Sequence, residues 1–108
     1  MYKVLVHCLL SWEIKHNGFK IGKPMDVFKK GAIVCLRIKD IAIKLGDYIV
    51  GENANGLIVG KILELQINDS PVSNIPITTQ NIEVGIMVSC NFKKTHMIFI
   101  IPSERKIV

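Results

Sequence analysis

The residues of this chain best suited to chemistry are two lysine pairs. Lys29-Lys30 runs into Gly31, and Lys93-Lys94 lies in a polar stretch from Asn91 to His96, so both pairs read as basic turns. Arg37 and Lys39 extend one face of an alternating run between them. Phosphate contacts need only positioned cations, and the affinity they give depends on salt and ignores base sequence. Phe92, beside Lys93, is the best base-stacking candidate in a sparse set of aromatics that includes Trp12, Phe28, Tyr48 and Phe99. The candidate RNA-contacting set is therefore Lys29, Lys30, Arg37, Lys39, Phe92, Lys93 and Lys94. Plainer accounts stand beside it. Lysines solubilise apolar chains and guard sheet edges, and a loop aromatic folds back over a barrel end.

Other reactive side chains form no constellation. His7-Cys8 suggests a nucleophile and base, but neighbours on a strand point to opposite faces. Cys8 reads as a buried hydrophobe with His7 exposed. His96, in a basic turn, reads as solvated, and His16, in a polar loop, carries no signal. Cys90 shares the parity of Val88 and Ile86 and points inward, whereas Cys35 faces away from Val34 and Leu36 and is the more accessible thiol. No His has the companion spacing that a metal site needs. Asp26, Asp40, Asp47, Glu64 and Asp69 are scattered, and turn chemistry accounts for Asp40 and Asp47. A catalytic site, a metal and a cofactor are not expected.

The composition bounds the rest. At 108 residues the chain holds one real core. It carries 18 Ile and 10 Val, which favour strands through stiff branched side chains. The net charge of +5 and a pI near 9.2 lean toward an anionic partner, nucleic acid being the commonest. Lysine as a solubiliser explains that charge equally well, since Arg37 and Arg105 are the only arginines. Three widely spaced cysteines suit a reducing cytosol, so a cytoplasmic protein is expected. The N-terminal MYKVLVHCLLSW lacks the length and cleavage site of a signal peptide. No run nears the roughly 20 apolar residues of a membrane helix.

The elements that must position these groups are strands. Ile21, Met25 and Val27 share one parity, with Pro24 marking an edge or bend. Val34, Leu36 and Ile38 alternate with Cys35, Arg37 and Lys39. Tyr48-Ile49-Val50 and Leu57 to Ile67 flank Asn55-Gly56, a strong hairpin signal. Near Gly60 the apolar phase slips, and a β-bulge there would reconcile the two halves. Pro71 and Pro76 make 72–80 a loop across the barrel end. Val84, Ile86 and Val88 alternate again, and Met97 to Ile101 forms an apolar last strand before Pro102.

The order of these pieces carries a resemblance. Ile21-Gly22-Lys23, Gly31-Ala32-Ile33-Val34, Lys44-Leu45-Gly46-Asp47-Tyr48-Ile49, Ile62 to Ile67, Pro71-Val72 and Val84-Gly85-Ile86 follow in sequence. The set resembles the β-barrel second domain of translational GTPases such as elongation factor Tu, and small stand-alone versions of that barrel. It covers roughly residues 20 to 102. Such barrels contact a GTPase domain, the tRNA acceptor end and the ribosome, and similar ones are appended to collagenase-like peptidase-family proteins that modify RNA. There are departures. Asn81-Ile82 replaces a Gly-Asp pair, with Asn81 able to take the left-handed conformation of a glycine, and Pro24 replaces an ordinary strand residue. Residues 1 to 18 have no counterpart. A phosphate-binding loop is absent, because Leu57-Ile58 stand where its Lys and Ser/Thr would be.

The expected fold is all-β: a closed or nearly closed six- to seven-stranded antiparallel β-barrel over 19–102. Residues 1–18 form an extension, read as a peripheral strand, and 103–108 a charged tail. Asn55-Gly56 should tip a hairpin. Leu63, Leu65, Ile67, Val84, Ile86 and Val88 should share one core, and both lysine pairs should fall on one side near Arg37 and Lys39. The expected function is a non-catalytic binding module near RNA or the translation apparatus, touching tRNA or ribosomal RNA. The alternative is a protein-interaction or oligomerisation adaptor for another enzyme.

Overall fold

Branched residues and frequent turns yield ten strand segments in the computed structural model, which describes residues 18–103. They are β1 (Phe19–Gly22), β2 (Asp26–Phe28), β3 (Ile33–Ile38), β4 (Ile43–Lys44), β5 (Tyr48–Asn53), β6 (Gly56–Ile67), β7 (Ser70–Val72), β8 (Asn74–Ile75), β9 (Ile82–Val88) and β10 (Met97–Ile101). Among the described residues the helical content is one 3-10 turn, Lys29–Gly31. The expectations for His7, Cys8, Trp12, His16 and the N-terminal strand, and for the tail beyond Ser103, concern positions outside the described residues.

Eight strands form one antiparallel sheet in the order β1-β10-β5-β6-β9-β3-β2, with β7 also on β6. β4 and β8 make a separate two-stranded ribbon. The all-β, strongly curled antiparallel sheet expected is present, but it is a half-barrel that hydrogen bonds do not close, so of the closed or nearly closed barrel expected the closed form is not found. The reason is local. Ile21, Met25 and Val27 do not share one strand, because the chain turns at Gly22 (φ +118°) and resumes on β3 at Asp26. Pro24, buried between them, has no N–H for a ladder. β1 and β2 are thus the two edges, and the backbone itself crosses the seam.

The concave face holds Val34, Leu36, Ile38, Ile49, Ile62, Leu65, Val84, Ile86, Val88, Ile98 and Ile100, all nearly inaccessible. Leu65, Val84, Ile86 and Val88 meet there as expected, with Ile67 packed at the margin. Leu63 does not, being 50% exposed. Ile62 pairs with Val88 but Glu64 pairs with Met87, so Leu63 is the extra residue of a bulge. The phase slip therefore lies at Leu63 and not at Gly60. Gly60 has a different reason to be glycine, since an added Cβ would stand 2.5 Å from the Cys90 sulfur.

Three more expectations shift in detail. The hairpin turn is Ala54-Asn55, one residue before Asn55-Gly56. The Asn55 N–H donates to Asn53 Oδ1 at 2.9 Å, and Gly56 (φ +126°) opens β6 opposite Asn53. The stretch 72–80 is not all loop, because β8 and the end of β7 lie in it. Asn81 does not take positive φ; Asn68 and Asp69, in the β6–β7 turn, do. β10 is apolar throughout because both its faces pack. Ile98 and Ile100 enter the main core, while Ile101 and Phe99 join Val50, Tyr48 and Leu57.

The bulge gives a sharp contrast between two leucines two residues apart. Leu65→Ala should cost about 2–5 kcal/mol in urea unfolding, whereas Leu63→Ala should stay within about 0.5 kcal/mol of the parent.

Candidate functional site

The two lysine pairs meet. Lys29 (φ 50°), Lys30 (φ 59°) and Gly31 (φ 94°) are three consecutive left-handed residues, a conformation costly for the two lysines. Two contacts hold it. The Asn91 side-chain amide donates to the Lys30 carbonyl at 2.7 Å, and the Phe92 N–H donates to the Gly31 carbonyl at 2.9 Å. The approach is so close that a Cβ on Gly31 would lie 2.1 Å from the Phe92 carbonyl oxygen. The 29–31 and 91–94 turns thus form one end of the half-barrel, with Lys29, Lys30, Lys93 and Lys94 exposed on it.

Phe92 is the anchor of this end and not its stacking platform. Its ring is 2% exposed and lies against the backbone of Gly51, where a Cβ would come within 2.7 Å of it. A base cannot reach it, which corrects its assignment as an RNA-contacting residue. His96 packs edge-on to Phe92, with centroids 5.7 Å apart, and is buried instead of solvated. Its Nδ1 accepts the Lys93 N–H at 2.9 Å and so carries no proton. Burial first, then the Lys93 charge, favour the neutral ring and lower its pKa from 6.5.

The remaining candidates are elsewhere. Arg37 near the end of β3 and Lys39 just past it are roughly 13 Å and 20 Å along the chain from Ile33 at the usual rise. Arg37 faces Glu83 across the ladder and pairs with it at 3.1 Å. The Lys29-Lys30 pair, in the turn before Ile33, is at the other end of that strand from Arg37 and Lys39. Lys94 is itself 3.4 Å from Asp26. Cys35 and Cys90 are half-buried, and burial raises the pKa of each, helped at Cys35 by Asp26 and Glu83. Cys35 faces outward as expected, but its surroundings disfavour the thiolate. Among the described residues no cluster of His, Cys, Asp or Glu could hold a metal.

The structure also gives Asp47 a larger role than a turn residue. It is 2% exposed, and its carboxylate accepts the Lys44 N–H at 3.0 Å and the Ser103 N–H at 2.9 Å. One side chain thereby ties the end of β10 to the turn before β5. It borders an apolar groove of about 470 Å³ with Phe19, Ile41, Ile75 and Ile77. Both its oxygens are occupied by backbone donors, so it offers a ligand little. The Gly46-Asp47 dipeptide signalled a turn, but nothing in the sequence marked the Ser103 contact, which spans 56 residues.

No protein-family model matches this chain, and no curated protein matches it either.

Two measurements test this geometry. Asp47→Ala removes a buried carboxylate and leaves two part-buried backbone donors without their acceptor, which should cost about 1.5–3 kcal/mol in unfolding. Because the folded-state pKa of His96 lies below 6.5, the histidine is neutral in both states above that value. As pH falls through 6.5 the unfolded chain binds the proton first, so stability declines toward acid. His96→Gln keeps an acceptor without titrating, and should flatten the drop in urea midpoint between pH 7 and 5.5.

Proposed function

We propose that this domain is a non-catalytic RNA-binding module of the elongation-factor barrel type, which grips the phosphate backbone with its cationic end. The observation that carries this reading is the joining of the 29–31 and 91–94 turns, which brings two lysine pairs 64 residues apart in sequence onto one end. The left-handed backbone at Lys29 and Lys30 adds to it. Strain at a loop bearing exposed charge is the pattern of a segment held for a ligand and not for the core. The order of the sequence pieces and the curled antiparallel sheet support the barrel type, and tRNA or ribosomal RNA are the natural targets of such a barrel.

The mechanism is electrostatic. Four lysines without a stacking aromatic read phosphate and not base, so affinity is indifferent to sequence. Lys94 contributes least, since Asp26 already holds it. Arg37 contributes nothing, being engaged by Glu83 at the other end of β3.

A salt titration of binding to labelled tRNA and to a single-stranded RNA tests the reading. On the single strand, log affinity should fall linearly with log salt, at a slope near roughly −0.7 for each phosphate contacted. Replacing Lys29, Lys30, Lys93 and Lys94 by Ala should shallow that slope by about 2 to 3 and weaken every RNA alike, while Arg37→Ala leaves it unchanged. Absence of binding at micromolar protein and low salt rejects the RNA reading.

A further inference from the structure

The convex face of the sheet differs from the cationic end, and its cross-strand register shows how. One row reads Phe28, Ile33, Met87, Glu64 across β2, β3, β9 and β6; the next reads Asp26, Cys35, Gly85, Gln66. Phe28, Ile33 and Met87 make the first row an apolar stripe that ends at Glu64 and the bulged Leu63, while Met25 lies beside Asp26 at the end of the second row. Phe28 is 51%, Leu63 50% and Met25 43% exposed. In the second row Gly85 leaves a gap, because an added Cβ would meet nothing nearer than Gln66 Cβ at 4.0 Å. Glycine weakens a strand interior and marks a place where another chain comes close. Here it opens a hollow of about 390 Å³ floored by Ile33 and Cys35.

The charge around that hollow is the reverse of the molecule's. Of the seven acids among the described residues (Asp26, Asp40, Asp47, Glu52, Glu64, Asp69, Glu83), four border this face: Asp26, Glu64, Asp69 and Glu83. Arg37 engages Glu83 and Lys94 engages Asp26, but Glu64 and Asp69 form no ion pair within the described chain. We propose that the outer face of β2, β3, β9 and β6 docks an extended segment of a partner protein bearing bulky apolar side chains flanked by lysine or arginine. The apolar stripe supplies contact area, the Gly85 hollow seats one side chain, and Glu64 and Asp69 select the basic flanks. Phosphate is repelled from the carboxylates of this rim, which meets the lysine end only where Lys94 engages Asp26, and the proposal does not rest on the RNA reading. The raised pKa of Cys35, caused by burial and then by Asp26 and Glu83, agrees with a negative field at the centre of the face.

Random peptides displayed on phage, selected on the parent protein, supply the probe. Gly85→Leu fills the hollow from a strand position of ordinary φ, and its unfolding midpoint verifies that it folds. Glu64→Lys with Asp69→Asn strips the rim of its unpaired acids at two exposed sites, Asn tolerating the left-handed φ at 69, and serves should Gly85→Leu fail to fold. Selected sequences should carry paired bulky apolar residues with basic flanks. A synthesised winner should bind each variant roughly tenfold more weakly than the parent, the effect of losing one anchor. Its amide shifts should fall on Ile33, Cys35, Gly85 and Met87. Enrichment that survives in both variants, or winners without basic flanks, overturns the proposal. So does self-association in sedimentation that Gly85→Leu abolishes, which would make the occupant a second copy. Shifts of the same amides by single-stranded RNA overturn it as well.

Discussion

The contact on which this structure depends is the one between Gly31 and Phe92. Two backbones approach until no side chain fits between them, and the Phe92 ring continues inward to lie on Gly51. Both glycines are required by the same aromatic. Phe92 closes one end of the half-barrel as a plug, and the turns on either side of it are held by its N–H and by Asn91. At the opposite end Asp47 plays the corresponding part with a carboxylate, joining Ser103 to the turn before β5. Between those two ties the sheet needs no continuous ladder to keep its curl, and the seam at Lys23–Met25 is left to the covalent chain.

This arrangement separates two kinds of surface. The plugged end gathers lysines because the turns it pins are polar, and their charge projects where no strand can bury it. The convex face collects acids and apolar groups because β3, β6 and β9 spend their alternate residues outward. The RNA contact proposed for the lysine-bearing end and the protein contact proposed for the convex face therefore concern different faces and do not compete for one.

Much of this was legible in the residues. Alternation placed Val34, Leu36, Ile38, Val84, Ile86 and Val88 inward, and turn residues placed the hairpin within one position. Pro24 marked the broken edge strand, and a phase slip on β6 announced a bulge. Gly60 is the residue on β6 that suggests a bulge, whereas the extra residue is Leu63, whose apolar side chain gives no sign of exposure. The plug was illegible for a related reason. Phe92 between Asn91 and Lys93 looks like a surface aromatic, and only the distant glycines at 31 and 51 reveal that space was kept for it. Long-range ties such as Asp47 to Ser103 leave no periodic trace. The same holds for Arg37, whose partner Glu83 is set by strand pairing and not by spacing.

The claim that a buried plug fixes the cationic turns is tested most directly by hydrogen exchange at single amides. The Phe92 N–H is bonded to the Gly31 carbonyl and the Lys93 N–H to His96 Nδ1, though both belong to a turn. If the plug organises this end, both amides should exchange as slowly as the Ile86 amide in the β3–β9 ladder, and open together with it. Exchange of Phe92 and Lys93 at the rate of the exposed Lys94 amide, with Ile86 still protected, would contradict the account.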